Sequence, residues 1–157
     1  MINKLLSTLI CIVVLSSSSC GESPDPVAYN NSIITIINDS EKHVTEMNDA
    51  MNRADYAKAE TVRDLWESSI DQDIKKVEAL GSFQGDSIFQ QAVLNGLMGY
   101  HKILTDDYPK LISIRKEASV KNARLETQLL NNINSASKNM ANAVNQASEQ
   151  FEKRYRR

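Results

Sequence analysis

An all-α fold is what this 157-residue sequence predicts: an antiparallel up-down-up-down four-helix bundle behind a cleaved signal peptide and a short tether. Three observations carry the prediction. The five Gly and three Pro mostly fall between residues 21 and 26, at 81 and 85, and at 109. The long stretches between are rich in Ala, Leu, Lys, Glu, Gln and Asn, which favour helix over sheet. Apolar residues recur at steps of three and four in four separate stretches. The connections between these stretches are short, and short connections force consecutive helices to lie antiparallel. At 41% hydrophobic and 6% aromatic residues, the expected core is built mostly from aliphatic and Ala positions. The length suits one domain once a leader is removed. The expected division is 1–19 signal peptide, 20–26 anchor and tether, and 27–157 bundle.

Lys4 supplies a positive start, and residues 5–15 form an apolar run of eleven. A bilayer-spanning helix needs about 20 residues, so the run reads as a signal peptide. It ends in Leu15-Ser16-Ser17-Ser18-Ser19-Cys20. This stretch resembles the lipobox of bacterial lipoproteins, which implies that Cys20 becomes the lipidated first residue of the mature chain. Small Ser18 and Ser19 fit that pattern; Ser17 stands where the usual Leu would, and Leu15 lies two places early. Cleavage by an ordinary signal peptidase within the Ser run is the alternative. Cys11 lies inside the leader, so no disulfide framework and no Cys-based metal site is expected. Gly21-Glu22-Ser23-Pro24-Asp25-Pro26, with two prolines, reads as an extended tether of about 20 Å.

The first helix is expected over about 27–53. Ile33, Ile37, Ser40, Val44, Met47, Met51 and Ala54 form its inward seam, widened by Ile34 and Ile36. Asp25 is the expected N-cap, with Pro26 at the first helical position. Residues 50–59 resemble the tight hairpin turn inside tetratricopeptide repeats, which implies Asp55 as N-cap and Tyr56 packed under the turn. Nothing similar recurs 34 residues later, so this is no repeat protein. The second helix is expected over about 56–80, with Ala59, Val62, Trp66, Ile70, Ile74 and Val77 inward. Gly81 is the expected left-handed C′ residue, with Phe83 its apolar companion. Ser87 and Gln90 fit a capping box, in competition with a cap from Asp86. The third helix carries Phe89, Val93, Leu97, Tyr100, Leu104, Tyr108 and Leu111. Because the stripe runs through Pro109, a kinked helix resuming to about residue 117 is expected; a break at Asp106 and Asp107 is the alternative. The fourth helix, over about 120–155, carries Leu125, Leu129, Ile133, Ala136, Met140, Val144, Ala147, Phe151 and Tyr155. Ala136, Ala143 and Ala147 would let a neighbouring helix approach closely.

Charge is unevenly placed. Residues 21–107 hold 16 Asp and Glu against 7 Lys and Arg, and residues 108–157 hold 10 Lys and Arg against 4 Asp and Glu. Acidic early helices beside a basic last helix account for this. A di-iron bundle needs Glu-x-x-His motifs that this chain lacks. Glu41, His43 and Glu46 cluster on the first helix, and His43 with Glu46 is the one weak metal candidate; no metal and no cofactor is expected. His43 or His101 with Met47, Met51 or Met98 is formally an axial pair for haem, but Met on an apolar stripe is ordinary core filling. No phosphate loop, nucleophile elbow or catalytic triad is present, and no enzyme activity is expected. Asn131, Asn132, Asn134, Asn139, Asn142 and Asn145 give the last helix an uncharged polar surface. Lys153, Arg154, Arg156 and Arg157 make a basic tail, favourable at a helix C-terminus by about 0.3–1 kcal/mol each. In an antiparallel bundle this tail would lie at the membrane-proximal end.

A lipobox, a tether and one helical bundle resemble, in organisation, small surface lipoproteins of Bacteroidetes and spirochaetes. The resemblance implies a lipid-anchored place in the bacterial cell envelope, at the outer membrane, and brings no catalytic residues. The expected role is structural or protein-interacting, with the membrane and an envelope protein as partners and no nucleic acid. The alternative is a binding module holding a small hydrophobic or haem-like ligand in the bundle core.

Overall fold

Helix starts and stops in this chain are set by side chains that satisfy the unpaired amides and carbonyls of helix ends. The computed structural model describes residues 24–117 and 122–155, apart from the side chains of residues 39–41. Cys20, the leader, the first part of the tether, residues 118–121 where the third and fourth expected helices meet, and Arg156 and Arg157 lie outside the described residues, as do the side chains of Ser40 and Glu41. Asp25 accepts the Val27 amide at 2.9 Å and Pro26 opens α1 (Pro26–Asn52), as the sequence predicts. A three-residue turn follows. Asp55 N–H bonds the Ala50 carbonyl at 2.9 Å and Ala54 N–H bonds Met51 at 3.2 Å. This is the paired pattern of a Schellman ending, with Ala54 rather than Gly held at φ +56°. Asp55 then caps α2 (Tyr56–Leu80) by accepting the Lys58 amide at 3.0 Å.

Gly81 leaves α2 at φ +67° and buries Phe83 behind it. Phe83 and Asp86 exchange both backbone hydrogen bonds, at 3.0 and 2.8 Å, around Gln84 and Gly85, both at positive φ. This two-residue turn tightens the approach to α3 (Ile88–Lys102). The capping box does not form. Asp86 takes the Ile88 amide at 3.0 Å, Ser87 makes no side-chain cap bond, and Gln90 is buried and donates to the Val77 carbonyl of α2 at 3.0 Å.

The third helix does not break. α3 passes through a π-helical stretch, Ile103–Asp107, into α4 (Tyr108–Glu117). Proline 109 offers no N–H, and in a regular α-helix its ring would meet the carbonyl four residues back. Widening the preceding turn relieves that collision: Tyr108 N–H reaches five residues back to Ile103 O. The last helix, α5, spans Ala123–Tyr155. No strand forms among the described residues, so the fold is all-α with four helical rods.

α1 packs chiefly on α2, α2 on α3, and α3 on α5, while α1 and α5 touch little. The core runs through Ile33, Met47, Val62, Trp66, Ile70, Val77, Leu104, Leu111 and Ile112. One end is clamped by rings. Tyr29, Phe83, Phe89, Phe151 and Tyr155 lie with neighbouring centroids 4.8–5.5 Å apart. Tyr29 also donates from its hydroxyl to Gly81 O at 2.7 Å. The start of α1, the α2–α3 turn and the end of α5 therefore meet there.

Candidate functional site: an apolar groove between three helices

On α1 the predicted seam is buried in part. Ile33, Met47 and Met51 are buried as expected, with Ile36 from its widened edge and Ala50 beside them, whereas Ile37 and Val44 are only half-buried and Ala54 is exposed. The apolar stripe on α1 is wider than one contact needs. One edge faces α2, and the other edge, with Ile34, lines a groove. α5 has a matching pattern. Leu129, Ile133, Ala147 and Phe151 are buried, but Ala136, Met140 and Val144 in the middle are half-buried. Leu125, placed inward by the sequence, is 42% exposed, and Ala143 is exposed rather than at a helix contact.

The two half-buried edges face a cavity of about 440 Å³ bounded by α1, α3 and α5. Ile34, Ile37 and Val44 form one wall, Phe89, Val93, Leu97 and Tyr100 the floor, and Met140, Ala141 and Val144 the other wall. Among the described residues its polar lining is uncharged: Asn38, Tyr100, Asn145 and Ser148. Two glycines bring α5 close to the floor. An added Cβ at Gly96 would sit 3.4 Å from Val144 Cγ2, and one at Gly99 would sit 2.1 Å from Met140 Sδ. At the aromatic end α1 and α5 are tied by buried Asn30, which donates to Glu152 Oε1 and accepts from Ser148 Oγ, both at 3.4 Å. From there the two helices leave the groove open between them.

Below the floor lies a polar-edged aromatic cluster. Tyr100 stands 5.6 Å from Trp66, whose ring is 6.1 Å from Tyr108 and stacks at 6.4 Å on His43. Burial, and next to it the neighbouring Tyr100, pushes the Tyr108 phenol up to about 12. Trp66 Nε1 and His43 Nδ1 are buried without a hydrogen-bond partner among the described residues. Asp73, fully buried on α2, bonds Lys76 Nζ at 2.8 Å through one oxygen and leaves Oδ2 unpaired among them. The spacing of α2 could have found Asp73. Positions 59, 62, 66, 70, 73 and 77 step by 3, 4, 4, 3 and 4 along one helix face, and a carboxylate at 73 reads as exposed only by its chemistry. Ile74, chosen in its place, is half-buried.

The residues singled out from the sequence are not brought together. His43 Nδ1 and Glu46 Oε2 are 4.0 Å apart, and no group of three or more His, Cys, Asp or Glu able to hold a metal gathers among the described residues. His101 faces α2, 3.5 Å from Asp71 and 4.0 Å from Glu67. Neither imidazole lines the groove, Met47 and Met51 are core, and Met98 is 51% exposed. The groove therefore offers a haem no axial imidazole. At the tail Lys153 is exposed, while Arg154 pairs with Asp86, which also accepts from Tyr155 at 3.2 Å. The Ile88 amide, ahead of Arg154 and Tyr155, holds the Asp86 carboxyl below its usual range. No described helix is long and apolar enough to cross a membrane. No family model matches this chain, and no curated protein or solved structure matches it either.

Proposed function

We propose that this chain is a lipid-anchored bundle of the bacterial cell envelope that works as a binding module, holding a small uncharged apolar ligand between α1, α3 and α5. The groove carries this reading. A cavity of about 440 Å³ lies within the roughly 300–1,000 Å³ typical of small-molecule sites, and its walls are apolar with a few neutral polar groups. That observation moves the preference from a structural or protein-interaction role to ligand binding. No catalytic residues are assigned.

The up-down-up-down path is the arrangement we infer for the four rods. It is supported by the three-residue α1–α2 turn, by Tyr29 at the start of α1 reaching Gly81 after α2, and by Asn30 meeting Glu152 near the end of α5. On that path the tether and the basic tail share one end, so Cys20 would anchor the end opposite the α1–α2 turn. Lys153, Arg156 and Arg157 would then add attraction to anionic headgroups, with the charge of Arg154 already matched by Asp86.

The test is to express the chain with its leader in a bacterium, label with radioactive palmitate, and extract the purified protein for mass spectrometry. Label that disappears in Cys20→Ser, and an apolar compound that is lost in Ala141→Trp, are expected. Ala141 is exposed at the rim, so Trp there fills the opening without entering the core. Absence of any apolar compound, in extracts and on adding apolar probes, would remove the ligand-binding reading.

A further inference from the structure

We infer that the groove takes an uncharged apolar compound bearing a carbonyl group, whose oxygen accepts a hydrogen bond from the buried indole of Trp66 behind Tyr100. This rests on the groove being a ligand site and names the chemical class of its ligand. The polar groups on the trough itself do not orient a ligand. Ser148 and Asn145 on α5, Asn38 on α1 and Tyr100 on α3 are spread over all three of its sides. The orienting groups lie one layer deeper.

Buried polar atoms in folded proteins are nearly always paired, so one left unpaired calls for a partner. Trp66 is 1% exposed, and its Nε1 has no partner among the described residues. An indole N–H only donates, so what it lacks is an acceptor. His43 Nδ1 is buried and unpaired as well, with its ring stacked on Trp66 at 6.4 Å. Glu46 Oε2, 4.0 Å away, is too far to bond it. Both side chains adjoin the groove through its lining. Tyr100 lines the groove and stands 5.6 Å from the Trp66 ring, and Val44, which follows His43 in the chain, belongs to the α1 wall. Tyr100 is half-buried, and a turn of its ring opens the way from the groove to the indole. A carbonyl oxygen suits this place. It has two lone pairs and no proton, so it can accept from Trp66 and from His43 in the tautomer with its proton on Nδ1. A hydroxyl would bring in a further donor, and a hydrocarbon would leave the indole unpaired. The body of the ligand then lies between the aliphatic walls, against Ile34, Ile37 and Met140.

The chain has one tryptophan, so a nitrogen-15 spectrum of the purified protein carries one indole N–H signal. Titration with acetophenone and with isopropenylbenzene tests the inference, because the two differ only in C=O against C=CH₂. Both should shift the Met140 methyl signal, and Ala141→Trp should abolish both shifts. Only acetophenone should move the indole proton downfield, in a saturable way, and it should bind about fivefold more tightly, as expected for one net hydrogen bond. Tyr100→Phe should keep that preference, because the ring that turns aside is not the donor. Equal affinities, or an indole signal that moves no further with the ketone than with the alkene, overturn the carbonyl assignment and leave the groove a ligand site. A preference lost in Tyr100→Phe also overturns it, since the Tyr100 hydroxyl would then be the donor. If no apolar probe shifts the Met140 methyl, the ligand-binding reading falls as well.

Discussion

Gly96 and Gly99 stand about one turn apart on α3 against α5, and they differ in what a methyl group would meet. At Gly96 the new Cβ lies 3.4 Å from a Val144 methyl, an ordinary contact. Ala there should recover up to about 1 kcal/mol of helix propensity. At Gly99 the same group would overlap Met140 Sδ at 2.1 Å and crowd Cγ at 3.2 Å, so Met140 must leave its seat on α3. Gly96→Ala should therefore raise the melting temperature and Gly99→Ala should not, with a difference of about 1 kcal/mol in thermal or urea melts. Equal stabilisation by both would mean Met140 does not pack on Gly99. Asp73 is the other residue where local chemistry misleads. Its position obeys the inward spacing of α2, but its carboxylate argues for solvent, and among the described residues the Lys76 ammonium at 2.8 Å makes its burial tolerable.

The helices themselves were legible from periodicity and caps. Asp25, Asp55 and the positive φ of Gly81 mark ends where short side chains or glycine answer a local need, and such needs are visible in sequence. The end of α1 was less so, because Ala54 holds a left-handed conformation that glycine would adopt without strain. Ala54→Gly should stabilise the protein by about 1 kcal/mol, read as a shift of the urea midpoint at unchanged slope. A loss of stability would mean that the turn is not held at φ +56°. The π stretch was legible only as a problem. Pro109 announces a disturbance, but whether the chain breaks, kinks or widens depends on Ile103, Leu104, Tyr108 and Leu111 all remaining buried on one face. Packing on both sides of the proline keeps the helix running, and the extra residue in the turn absorbs the conflict.

Across the whole molecule, the groove was the least legible feature. Each stripe on α1 and α5 reads as core because the sequence records which residues are apolar and not how far apart two helices stand. Ile37, Val44, Met140 and Val144 fit a closed seam equally well; they line a trough because α1 leans on α2 and α5 leans on α3. The aromatic cluster below the floor couples the core to pH. Tyr108 keeps its proton up to about 12 in the folded state and loses it near 10.0 when unfolded. Above pH 10 the unfolded chain binds fewer protons, so stability is intact below that value and falls as pH rises toward 12. Tyr108→Phe should flatten the decline in urea midpoints across that window without abolishing it, because Tyr29 is also raised, by burial and then by Asp86. A slope unchanged by the substitution would mean that Tyr108 is accessible to solvent.

Binding in the groove is tested most directly by the methionine methyl signals of protein labelled with carbon-13, recorded while 1-monolauroylglycerol is added below its aggregation concentration. Met140 lines the groove, Met47 and Met51 are buried in the core, and Met98 is exposed. The Met140 methyl should shift in a saturable way while Met47, Met51 and Met98 stay in place. A Met140 signal that moves neither with this ester nor with a compact apolar probe, or shifts confined to exposed Met98, would contradict binding between α1, α3 and α5.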